Sequence, residues 1–298
     1  MKNLKLLLVS LAILFSNNLT LGQGSKEDKK ERSAVKSALN AFKFRSIGPA
    51  FMSGRIADIA IDPKNENVWY VAVGSGGVWK TENAGTTWSP IADNMPFYST
   101  GCITIDPHNN ASIWLGTGEN VGGRHVGIGH GVYHSADGGK SWKDKGLKKS
   151  EHISKIIVHP EDPNTVWVAS QGPLWSPGGE RGLYKTTDGG KTWKNTLDIN
   201  EWTGVTDLVI DPTNPDVLYA ASWQKHRNVA ALIGGGPGTS LYKSVDGGNN
   251  WSKIDKGLPK SNKGKIGLAI SPMQPNVLYA AVELDKRAGA VYRSDNSG

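Results

Sequence analysis

Cysteine is almost absent: Cys102 is the single one in 298 residues. One thiol excludes an intramolecular disulfide framework and a cysteine-cluster zinc site. Within GCITIDP, Cys102 reads as a small buried hydrophobe. Long apolar runs are missing too. Residues 6–15 are apolar but too few to span a bilayer, and no later segment is apolar for long enough. Lys2 and Lys5 before that run and a small-residue site at residues 20–22 make residues 1–22 a secretory signal peptide. No cysteine directly follows the run, so a lipoprotein anchor is not expected. The chain is therefore expected to be secreted, extracellular or periplasmic, and not membrane-spanning.

The net charge of +7 drops by two when Lys2 and Lys5 leave with the signal. No aromatic-basic stripe accompanies the excess, so nucleic acid is not an expected partner. Residues 23–41 form a charged leader. His125, His130 and His226 lack metal-ligand spacing, and the glycine-rich GSGGVW and GGGPG open no helix that would cradle a phosphate. No metal or cofactor is expected.

Glycine (37) and tryptophan (11) are abundant, a composition of sheet and tight turns. They recur in one phrase: KTENAGTTW from residue 80, HSADGGKSW from 134, KTTDGGKTW from 185 and KSVDGGNNW from 243, with a fifth copy, RSDNSG, at 293–298. A second phrase keeps step with it, IAIDPKNENVWYVAV being the first of five. Each second phrase reads as two strands joined at a turn on Asp-Pro or a related pair. The spacing of 50 to 58 residues between copies suits one four-stranded propeller blade per copy. In the tryptophan phrase Thr186 and Asp188 are expected to bond the turn backbone, Gly189 and Gly190 to adopt positive φ, and Trp193 to pack between blades. The repeat is a fastener, not a set of catalytic aspartates.

This Ser/Thr-x-Asp-x-Gly-x-x-Trp pattern resembles the Asp-box, or bacterial neuraminidase repeat, of sialidases, xyloglucanases and the N-terminal domain of sortilin-type receptors. Over residues 44–298 the chain is most similar to secreted bacterial proteins grouped with the sortilin N-terminal domain and often labelled glycosyl-hydrolase-like. The resemblance implies an all-β propeller of four-stranded antiparallel blades, about five of them over residues 42–298, forming an incomplete part of a larger ring that breaks off in the fifth blade. Residues 42–47 read as a fourth strand that completes a last blade. A self-contained five-bladed ring is the alternative.

Strand order puts the Asp boxes at the back and the long loops at the front. The front loops supply the candidate ligand-binding residues Arg55, Glu119, Arg124, His125, Trp175, Arg181, Trp223 and His226. A glycosidase needs two carboxyls across one cleft, for which Glu119, Glu180 and Glu201 are candidates. In the xyloglucanase pattern an aspartate precedes the Gly-Gly of the first blade, whereas here Gly74 stands in that place. The expected base is thus missing from its usual position, and no catalytic residue is assigned. The sequence reading is accordingly a non-catalytic secreted propeller binding an extracellular peptide, protein or glycan on the face opposite the Asp boxes, in company with further blades or a downstream domain. The alternative is a glycoside hydrolase of sialidase or xyloglucanase type acting on an extracellular polysaccharide.

Overall fold

A computed structural model describes residues 55–123, 126–284 and 288–298. The signal peptide, the charged leader and the strand expected over residues 42–47 lie outside the described residues. The described residues belong to one compact unit.

Four antiparallel four-stranded sheets follow one another, and a three-stranded sheet succeeds them. Blade 1 is β1 (Ile56–Ile61), β2 (Trp69–Val73), β3 (Gly77–Thr81) and β4 (Ser89–Pro90). Blade 2 is β5 (Thr100–Asp106), β6 (Asn109–Thr117), β7 (Val132–Ser135) and β8 (Lys143–Asp144). Blade 3 is β9 (Ile153–Val158), β10 (Val166–Ser170), β11 (Gly182–Thr186) and β12 (Lys194–Leu197). Blade 4 is β13 (Thr203–Ile210) and β14 (Leu218–Gln224), then a small ribbon of β15 (His226–Arg227) and β16 (Leu232–Ile233), then β17 (Leu241–Ser244) and β18 (Ser252–Ile254). Blade 5 is β19 (Lys263–Ile270), β20 (Leu278–Leu284) and β21 (Gly289–Ser294). The all-β propeller expectation holds.

The two recurring phrases build these blades as the sequence implies. In the Asp-Pro turns the aspartate folds back on the chain: Asp62 accepts the Lys64 N–H and Asp211 the Thr213 N–H, both at 2.8 Å. This pins the first hairpin of blades 1 and 4. In the third Asp box Thr186 Oγ1 donates to Asp188 at 2.7 Å and accepts the Gly190 N–H at 3.0 Å, while Asp188 accepts the Thr192 hydroxyl at 2.6 Å. Gly189 and Gly190 sit at φ 70° and 76°, where a Cβ is strained. Trp193 then donates Nε1–H to Lys145 O of blade 2 at 2.7 Å and meets Trp114 edge-on. Trp142 does the same to Ile91 O of blade 1 at 2.9 Å. The tryptophans stitch neighbouring blades, and apolar clusters fill each blade-to-blade seam.

The outermost faces of the array are open. Ile56, Ile59 and Ile61 on β1 are 50–60 % exposed, and Tyr279 and Val291 of blade 5 are exposed too. Blades 1 and 5 therefore do not bury these faces on each other, which fits an arc and not a closed five-bladed ring. Between blades 4 and 5 lies a groove of about 640 Å³, lined by Leu241, Ile254 and Tyr292 among others.

The box aspartates make the fold acid-sensitive. The Ser141 hydroxyl and backbone hold Asp137 down to about 2, and corresponding bonds from Thr192 and Asn250 lower Asp188 and Asp246 further. A carboxylate depressed in the folded state contributes stability that is complete above the ordinary range near 4 and is lost as pH falls through the folded value. Thermal midpoints are expected to drop steadily between about pH 4 and pH 2, and Asp188→Asn to flatten that slope. An equally steep slope in the variant would contradict this assignment.

Candidate functional site

Antiparallel order places the loop between the second and third strands of each blade, and the loop between blades, at the front. After β6, Gly118 and Glu119 turn the chain toward blade 1. Glu119 is buried, 2 % exposed, with its carboxylate fixed from two sides. Oε1 accepts Arg55 Nε at 2.9 Å and Nη2 at 2.5 Å, and Oε2 accepts the Gly127 N–H at 2.8 Å. Arg55 keeps over half of its side chain in solvent. Glu119 Oε1 also lies 2.4 Å from where a Cβ on Gly74 would be. The carboxylate thus occupies the space that a side chain at position 74 would need.

The loop after β10 folds around Arg181. Its guanidinium donates to the carbonyls of Gln171, Pro173 and Ser176, and it is buried, 4 % exposed. Burial lowers its pKa to about 10, opposed by Glu151. Arg181 therefore organises its own loop and offers no free fork to a ligand anion. Glu180 is likewise tied, accepting the Lys149 N–H at 2.7 Å.

Trp223 is also interior, 3 % exposed, its Nε1–H donated to Gly234 O at 2.9 Å. Lys225 and Lys265 approach its ring, at 4.6 and 5.5 Å. Lys225 Nζ donates to Val121 O at 2.7 Å and Lys265 Nζ to Asn120 O at 2.5 Å. Blades 4 and 5 thereby clamp the loop that follows Glu119 in blade 2. Burial, with Lys265, Arg181 and Arg227 nearby, brings the Lys225 pKa down to about 7.

The aromatic surface left at the front belongs to Trp175 and to the Trp202–His226 pair. Trp175 is 52 % exposed with the Arg227 guanidinium 5.5 Å from its ring. Trp202 and His226 ring centroids are 4.0 Å apart, and Arg181 lies 5.9 Å from the Trp202 ring. Arg124 and His125 lie outside the described residues. Of the sequence candidates, then, Arg55 and Glu119 meet in one ion pair, Trp175 and His226 present rings at the front, and Arg181 and Trp223 are interior.

Three participants escaped the sequence reading. His152, 1 % exposed, is brought to about 4 by burial and bonds to the Glu119 backbone. Glu151, whose pKa burial raises, and Lys265 complete the set. Each sits in a blade-to-blade connection or at the head of a first strand, where no motif marks it. Among the described residues no group of three or more His, Cys, Asp or Glu is arranged to hold a metal ion.

The family described as "Sortilin, neurotensin receptor 3" matches residues 130–262. The fold is a sortilin-like Asp-box β-propeller. A probable oligoxyloglucan-reducing end-specific xyloglucanase of Neosartorya fischeri is 24 % identical over 242 residues, 74 % of this chain and 26 % of that protein. A xyloglucanase of Acetivibrio thermocellus is 24 % identical over 233 residues, 66 % of this chain and 25 % of that protein. Among solved structures, the GH74 xyloglucanase of Xanthomonas campestris superposes with a TM-score of 0.60 at 19 % identity, covering 80 % of this chain and 36 % of that one. This chain spans about a quarter of the length of the curated relatives it matches. These similarities correct the non-catalytic binder reading. The matching relatives are named as glycoside hydrolases, and the vacancy at Gly74 that argued against an enzyme is filled by the Glu119 carboxylate.

Proposed function

We propose that the chain forms part of an extracellular glycoside hydrolase of xyloglucanase type, acting on xyloglucan or a closely related polysaccharide. The observation that carries this reading is the carboxylate above Gly74. A glycosidase needs two carboxyls across one cleft, and Glu119 supplies one of the pair from the neighbouring blade, in place of a first-blade aspartate. The Arg55 guanidinium and the Gly127 N–H fix the position of this carboxylate, and a positioned carboxylate suits a base that takes a proton from attacking water. Arg55 keeps 55 % of its side chain in solvent beside this buried carboxylate. Trp175 and the Trp202–His226 pair supply flat faces for sugar rings.

The test is release of reducing ends from xyloglucan, with a sialoside and cellulose as comparisons. Turnover of xyloglucan well above both supports the proposal. Turnover of the sialoside alone, or of none of the three by protein that is folded, removes it.

A further inference from the structure

The first strands of all five blades converge on one polar cavity of about 410 Å³, within the usual range for small-molecule sites. Every blade carries a register shift at the front end of its first hairpin. Such bulges re-aim side chains. Here consecutive residues face the axis together: Ala57 with Asp58, Ser154 with Lys155, Thr206 with Asp207. Lys265 and Asn120 complete the polar wall.

Two carboxylates and two ammonium groups thus share one cavity, yet no ion pair within 4.0 Å joins any of them among the described residues. They are held apart by the backbone. Asp58 accepts the N–H groups of Ile59 and of Ile103 in the next blade, at 2.9 and 3.0 Å. Asp207 repeats this with Leu208 and with Leu268 of the next blade, at 2.9 and 2.7 Å. Lys265 is fixed by Asn120 O, and Asn120 in turn donates to Gly101 O and Ser154 O at 3.2 Å. Burial raises Asp207 and lowers Lys265, so water compensates these charges poorly. Thr206 is 4 % exposed and its hydroxyl has no partner.

We propose that this cavity binds a small zwitterion of amino-acid size, its ammonium group taken by Asp58 and Asp207, its carboxylate by Lys155 and Lys265, and a hydrogen bond made to Thr206. The balance of signs selects that class. An anion alone meets two carboxylates, a cation alone meets two ammonium groups, and a neutral polyol matches neither sign. The site is separate from Glu119, so its occupancy and polysaccharide turnover are independent observables.

Calorimetric titration of the full chain with glycine, L-glutamine and L-lysine, and with acetate, methylammonium and glucose as controls, tests it. Saturable binding by at least one amino acid is expected, with the controls silent. Lys155→Met is expected to abolish it. Thr206→Val removes a hydroxyl that has no protein partner, so it leaves the thermal midpoint unchanged while weakening binding roughly tenfold, the loss of about one hydrogen bond. Silence of all three amino acids at about 10 mM, binding by glucose instead, or affinity unchanged in both variants overturns the proposal.

Discussion

Glu119→Gln is expected to lower xyloglucan turnover by about 10²–10⁴-fold, the usual contribution of a positioned proton acceptor, without unfolding the protein. The amide keeps the shape of the carboxylate and still accepts from one side. Arg55, with more than half of its side chain in solvent, rehydrates and does not stay buried unpaired. The loss is expected in kcat with KM nearly unchanged, a split that a merely structural role would not produce. Relocating the carboxylate gives a sharper test. Gly74→Asp alone forces a side chain into the Glu119 oxygen, 2.4 Å from the new Cβ, and should inactivate. Combined with Glu119→Gly, the space is free and the carboxylate is restored from the first blade. Partial recovery in the double variant, above either single one, is the expected result. Turnover in Glu119→Gln within about threefold of the parent, a change too small for a lost proton acceptor, would remove Glu119 from the chemistry.

The blades were readable because their signals are local. Thr186, Asp188, Gly190 and Trp193 lie within one turn, and each makes its contact where the spacing predicts. The site was only half readable because its contacts are not local. Arg55 and Glu119 are 64 residues apart, and Lys265 and Asn120 are 145 apart. Nothing in "VAVGSGGVW" announces that a glutamate from the next blade fills the space over Gly74. Treating the motif position as empty led to the binder reading, whereas space in the fold is filled by whichever chain reaches it. Arg181 and Trp223 illustrate the opposite error of inference. Both stand in long front loops, where charge and aromaticity suggest a ligand, but such loops have backbone carbonyls of their own to satisfy, and Arg181 is consumed by three of them.

Gly118→Ala is expected to be the most damaging small substitution near the site. Gly118 adopts φ 84°, and a Cβ there would lie 1.8 Å from Glu151 O and 2.9 Å from the Gly129 nitrogen. Both are backbone atoms, so no side chain can rotate away. The left-handed conformation costs a non-glycine residue about 1–2 kcal/mol, and the overlap adds an overpacking penalty of about 1–3 kcal/mol. Together these amount to roughly 2–5 kcal/mol, or roughly 4–20 °C in thermal midpoint for a unit of this size. The damage is also directional. Glu151 O is the acceptor for Gly129 N–H at 2.8 Å, and the same loop supplies the Gly127 N–H that holds Glu119. Displacing it should release Glu119, so the folded fraction of Gly118→Ala is expected to lose turnover beyond its loss of stability. A midpoint within about 2 °C of the parent, corresponding to less than about 1 kcal/mol, would show that blade 2 and blade 3 do not meet at this backbone contact.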